Sequence, residues 1–156
     1  MAELRAGEHY TPQQVLPHRY AMLLVEEVSY GPDYGQAALT VHADSAFCDG
    51  VDGVPAWVGI EYMAQAISVF SGVEQLQRGS EVKIGLLIGT RRYESEVPVF
   101  PIGTRLNIIA RLKDREDEGI SMFACEIHDD QRVLARGDIK AYRPENIRAF
   151  LGMTAP

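Results

Sequence analysis

Cysteine is scarce in this chain, with two residues, Cys48 and Cys125, among 156. Two are too few for a disulfide framework, and no Cys/His cluster carries zinc-ligand spacing. With no secretory leader pattern at the N-terminus, the expected setting is a reducing cytoplasm. Positive charge is also short: 15 Lys and Arg against 22 Asp and Glu leave a net charge of −7. That balance excludes nucleic-acid binding through a general basic surface. No glycine-rich loop has a phosphate-cradling pattern, so neither a bound cofactor nor a metal is expected. Internal repeats and low-complexity segments are missing, and no apolar run is long enough to span a membrane. What remains is 46% hydrophobic residues, enough for one globular domain over residues 1–156 with a substantial core.

The stretch around which the rest is organised is Val54 to Arg78, VPAWVGIEYMAQAISVFSGVEQLQR. Pro55 suits a first helical position, and Gly79 after Arg78 is a glycine stop behind a cation. One helix over this span would run roughly 36 Å. Trp57, Val58, Ile60, Tyr62, Met63, Ile67, Val69 and Phe70 place apolar groups nearly all round it, which predicts a buried helix. Glu61 is out of place there. With Gln65 four residues on and Ser68 three further, it forms one polar stripe on an apolar rod. Burial would raise its pKa and keep it protonated, the state that proton-transfer chemistry uses. The plainer alternative is a structural glutamate bonded to Gln65 or to a neighbouring strand.

Elsewhere the patterning predicts strands. Thr11-Pro12 opens a short turn of helix over TPQQVL. Residues 21–30, AMLLVEEVSY, read as a strand ending at Gly31-Pro32-Asp33, with 35–43 as its hairpin partner. A Gly- and Asp-rich loop, Asp44 to Gly53, leads to the helix. Val82 to Tyr93 is a further strand, followed by a proline-bearing loop, VPVFPIG. Leu106, Ile108, Ala110 and Leu112 then share one face. ISMFACEIH and RVLARGDIKAY follow, with Val133, Ala135, Ile139 and Ala141 on a common face of the latter. A short helix over Pro144 to Leu151 closes the chain. One long apolar helix with a run of antiparallel strands is an α+β layout, the sheet curled round the helix and its edges open to a second subunit.

LPHRYAMLLVEEV, VPAWVGIEYMAQA and IGLLIGTRRYESEVPVFPIGTRL resemble the β-hydroxyacyl-acyl-carrier-protein dehydratases of the hotdog fold. The nearer similarity is to the divergent branch linked to aryl-polyene pigments, over about residues 15 to 142. The resemblance implies a hotdog dimer, of like or unlike subunits, with tunnels at its interface. Each tunnel would take an acyl chain carried on the phosphopantetheine of an acyl carrier protein. It implies removal of water from a β-hydroxyacyl thioester to give a trans-2-enoyl thioester in fatty-acid or polyene synthesis. By position, Glu61 matches the family's acid on the central helix, and Gln65 the glutamine one turn later. Ala56 falls where a family glycine offers its N–H to the thioester oxygen, with Trp57 beside it. Pro98 and Pro101 lie in the loop at the tunnel mouth.

One departure stands out. The family's histidine, in an HFP motif before the central helix, removes the α-proton; here the loop reads FCDGVDGVPAW, with Gly50 or Val51 in its place, and no histidine lies between His42 and His128. His18, in LPHR, is the best substitute base, because the resemblance sets that loop beside the tunnel; the plainer role is to bond the loop backbone or gate the entrance. Asp49 and Asp52 are second candidates, set against the usual capping role of aspartates before a helix. Glu61 acting alone is a third. Cys48 has no histidine near it, and His9, His42 and His128 carry no signal. Arg91, Arg92 and Arg105 are candidates for meeting an acidic carrier protein, or simply a solvated face. Besides a dehydratase, the residues leave open a catalytically weak subunit that stabilises an active partner, and a thioester hydrolase.

Overall fold

In a computed structural model, residues 5–146, 149 and 151–152 are described; of the helix expected over Pro144–Leu151, residues 147, 148 and 150 lie outside them. The central helix, α2, runs Gly59–Gln77, about 28 Å, and so starts later than its composition suggests. Strand β3, Gly53–Pro55, comes first, then a single 3-10 turn, Ala56–Val58. Pro55 thus ends a strand and does not open the α-helix. The partner of β3 is β5, Val99–Pro101, paired antiparallel from Gly53↔Pro101 to Pro55↔Val99. The expected proline loop therefore contains a strand, short because prolines withhold ladder donors. Gly53 has φ +153, and a Cβ there would stand 2.0 Å from the Phe100 carbonyl oxygen, so only glycine admits β5 at this distance.

The main sheet contains β1 (Glu27–Gly31), β2 (Tyr34–Thr40), β4 (Leu86–Ser95), β6 (Arg105–Arg115), β7 (Ile120–His128) and β8 (Val133–Tyr142). Its order is β1-β2-β6-β7-β8-β4 and every pairing is antiparallel. Only the end of AMLLVEEVSY is strand: Tyr20–Met22 forms a 3-10 turn, and the segment to Glu26 leaves the sheet. Likewise Val82–Gly85 precedes β4 and is irregular. Leu23, Leu24 and Val25 of the first stretch are apolar because they pack on the core, and not because they pair in a ladder.

Alternation holds well on β6, where Leu106, Ile108 and Ala110 are fully buried. On β8 the predicted face misses Leu134, which is buried beside Ala135; a register shift opposite Ile127/His128 turns two successive residues inward. Tyr62, Met63, Ala66, Val69, Phe70 and Val73 of α2 are all buried, as a helix apolar all round should be. Helix and sheet approach closely at Gly35, where an added Cβ would meet the Ala66 carbonyl oxygen at 2.3 Å and the Phe70 nitrogen at 2.7 Å. The helix α1 (Pro12–Val15) packs Val15 and Leu16 into the same core.

Candidate active site

Gln65 is the hub from which the site is built. It is wholly buried, and its amide is used in full. Nε2 donates to the Met22 carbonyl at 2.8 Å and to Glu61 Oε1 at 3.1 Å, while Oε1 accepts the Leu24 N–H at 3.1 Å. One side chain thereby ties the 17–24 segment to α2 and fixes the carboxylate one turn back. A residue sealed in this way positions its neighbours, and Gln65 stands behind the cavity wall that Glu61 lines.

His18 reaches Glu61 from that segment, with Nε2 3.4 Å from Oε1. The two side chains remain 22% and 35% exposed, so the pair is reachable. Burial alone would push the Glu61 pKa up. Hydrogen bonds from His18 and Gln65, with the charge of His18, outweigh it and hold the carboxyl below the usual glutamate value. The expected protonated acid is therefore a carboxylate, because the stripe that makes Glu61 look isolated also supplies its donors. His18 Nδ1 is buried without a hydrogen-bond partner among the described residues, while its backbone carbonyl accepts from Arg19 Nη1 at 2.7 Å.

Both side chains line a cavity of about 270 Å³ between α2 and the sheet. On the helix its wall follows Glu61, Ala64, Ser68, Ser71 and Glu74, and on the sheet it includes Leu86, Phe123 and Ile139. The volume is near the lower end of the range for small-ligand pockets.

The start of the helix is arranged differently from expectation. The Ala56 N–H donates to the Pro98 carbonyl at 3.0 Å, so it is committed within the chain and unavailable to a thioester. Tyr93 donates its hydroxyl to the Ala56 carbonyl. Trp57 is 64% exposed and packs edge-on against Phe47. Pro98 and Pro101 flank the wholly buried Phe100. None of these four lines the Glu61 cavity.

Asp49 is a loop organiser. Its Oδ1 accepts the Val51, Asp52 and Gly53 N–H groups at 2.8, 2.7 and 3.1 Å, and these bonds hold its pKa below the usual aspartate value. The Asp52 carbonyl accepts from Ile102. Arg91 and Arg92 are exposed on β4, but Arg105 is engaged by Glu26 and Glu27 at 3.2 and 2.9 Å. Burial pushes the Cys125 thiol up to about 12, a poor nucleophile. The residues that sequence reasoning missed are at the far end of the cavity: Ser71, Glu74, Arg115 and Arg143. Ser71 and Glu74 continue the Glu61–Ser68 stripe at helical spacing, a signal present in the sequence; Arg115 ends β6 and Arg143 follows β8, far along the chain, and they give none.

A long helix enclosed by a six-stranded antiparallel sheet defines a hotdog-fold protein. The ApeP-like family, described as ApeP dehydratase, matches residues 10–152, and the chain belongs to that family. The 3-hydroxyacyl-[acyl-carrier-protein] dehydratase FabZ of Chlamydia trachomatis (serovar D) is 30% identical over 135 residues, 81% of this chain and 86% of that protein. Among solved structures, the dehydratase heterocomplex ApeI:P from Xenorhabdus doucetiae superposes with TM-score 0.82 at 29% identity. The match covers 92% of this chain and 97% of that one. The E. coli PaaI protein, at 14% identity and TM-score 0.58 over 74% of this chain and 81% of its own, shares the fold. No helix among the described residues is long and apolar enough to cross a membrane.

Proposed function

We propose that the chain removes water from a 3-hydroxyacyl thioester, carried on the phosphopantetheine of an acyl carrier protein, to give a trans-2-enoyl thioester. The observation that carries this reading is the His18–Glu61 contact on the wall of a cavity, in a member of a dehydratase family. His18 Nδ1 is buried, so the group of the pair that reaches a substrate in the cavity is the Glu61 carboxylate, oriented by the Nε2–H of His18. A carboxylate oxygen takes the α-proton, the C–H electron pair becomes the C=C bond, and the β-hydroxyl departs. The same proton passes from Glu61 to the departing oxygen. Water leaves, and Glu61 is again a carboxylate. Glu61 is thus base and acid in turn, and His18 is the positioning group beside it.

The second reading is a subunit that stabilises an active dehydratase, favoured by Gly50 and Val51 standing where the family has its histidine. We further propose that a second hotdog subunit, like or unlike, adds to the free edge of β4, where Leu87 and Ile88 are exposed at 43% and 46%. The ApeI:P heterocomplex supports pairing of this kind. The test is to supply a 3-hydroxyacyl carrier protein to the chain alone, and then with a second dehydratase, following enoyl product and free acid separately. Enoyl product from the lone chain, reduced roughly 100-fold or more in both His18→Ala and Glu61→Gln, is the expected result. Turnover untouched by both changes would sink the assignment. Product only beside the second enzyme would favour the stabilising subunit, and free acid would indicate a hydrolase.

A further inference from the structure

The end of the cavity opposite His18 and Glu61 is unlike a pocket for hydrocarbon. There α2 presents Glu74, only 3% exposed, and three guanidinium groups surround its one carboxylate. Arg115 bonds both oxygens, with Nη1 3.2 Å from Oε1, and Arg143 and Arg78 approach at 3.8 Å each. Arg143 also donates to Ser71 Oγ at 2.9 Å, and Arg115 Nε is buried with no hydrogen-bond partner among the described residues. Lys83 lines the same end. Glu116, the other acid on this wall, is taken by Lys140 at 3.2 Å. Arg78, Lys83 and Arg143 also line a neighbouring pocket with Glu118 and Glu145, so the charge left at this end of the cavity is that of Arg115 and Arg143 around one buried carboxylate. Burial and the neighbouring Arg115 and Arg78 accordingly draw Arg143 below the usual arginine pKa, against the pull of Glu74.

We propose that this end of the cavity binds an anionic oxygen group, a carboxylate at the far end of the acyl chain, through Arg115, Arg143 and Ser71. The protein then acts on ω-carboxylated 3-hydroxyacyl thioesters in preference to methyl-ended ones. The inference rests on reading the cavity as the acyl site. A methyl end placed here would strip water from guanidinium groups and return no hydrogen bond. A carboxylate matches the planar fork of arginine and completes the charge balance. Thirteen helical residues separate Glu61 from Glu74, about 20 Å at 1.5 Å per residue, so the preference requires a long chain.

The test is calorimetric binding of saturated acyl-pantetheine thioesters, methyl-ended and ω-carboxylated, matched through a series of lengths. The carboxylated ester is expected to bind about tenfold more tightly once it is long enough to reach the arginines. Arg143→Gln should abolish that ratio and Arg143→Lys should restore part of it, with thermal melts showing that both variants fold. Equal binding at every length, binding of neither ester, or a ratio unmoved by both Arg143→Gln and Arg115→Gln, would overturn the proposal and leave a purely structural ion network. Dehydration of the matching 3-hydroxyacyl esters separates the two readings. Selective binding without enoyl product retains this inference and removes the dehydratase, and enoyl product without selectivity does the reverse.

Discussion

At the scale of single residues, Glu61 is governed by its neighbours more than by its burial. His18 and Gln65 hold its pKa below the ordinary glutamate value of 4.5. A depressed carboxylate stabilises the fold fully above the unfolded-state pKa, and that contribution is lost as the pH falls through the lower folded value. The wild-type protein should therefore lose stability on acidification below about pH 4.5 in part through this group. Glu61→Gln should flatten that limb in urea melts taken across the acid range; superimposable profiles would show that the His18 contact does not exist in solution. The stripe Glu61–Gln65–Ser68 was legible in the sequence, since helical spacing alone aligns it. The charge state was not, because the groups that set it include a histidine 43 residues upstream, and nothing local announces that contact.

Among the elements, the pairing of β3 with β5 decides where the central helix begins. Composition favours a helix from Val54, yet a ladder with Val99–Pro101 fixes the first residues as strand, tertiary pairing overriding local propensity. The same pairing brings Pro98 to the Ala56 amide, so the late start of the helix and the engaged Ala56 amide have one cause. Strands with strict alternation were readable, as Leu106, Ile108 and Ala110 show; apolar segments that merely cover the helix, such as residues 21–26, were not, because periodicity carries no information on what an apolar run packs against. Helix and sheet meet closely at Gly35, against backbone atoms of Ala66 and Phe70 that have no side-chain freedom with which to yield. Gly35→Ala should destabilise the protein by about 3 kcal/mol or more, as overpacking does at its upper end. Chemical denaturation would check this, and a loss under about 1 kcal/mol would mean that the helix slides on the sheet.

For the whole molecule, the open question is what lies against its edges. β1 and β4 terminate the main sheet, and β4 carries Leu87 and Ile88 outward with unpaired ladder groups beside them, an edge that natural proteins cover. A charge placed there should keep subunits apart. Ile88→Lys is expected to move the sedimentation coefficient of the assembled protein to that of a single chain, with its circular dichroism unchanged; an unaltered coefficient would place the contact elsewhere. Gln65 has a consequence at this scale too. Its amide clasps the 17–24 segment and the carboxylate together, so imidazole and acid are not separable parts. Grafting Glu61 alone onto another hotdog scaffold would transfer a charged side chain without its partner. A working transplant has to move residues 17–24 and the helical turn from Glu61 to Gln65 as a single cassette.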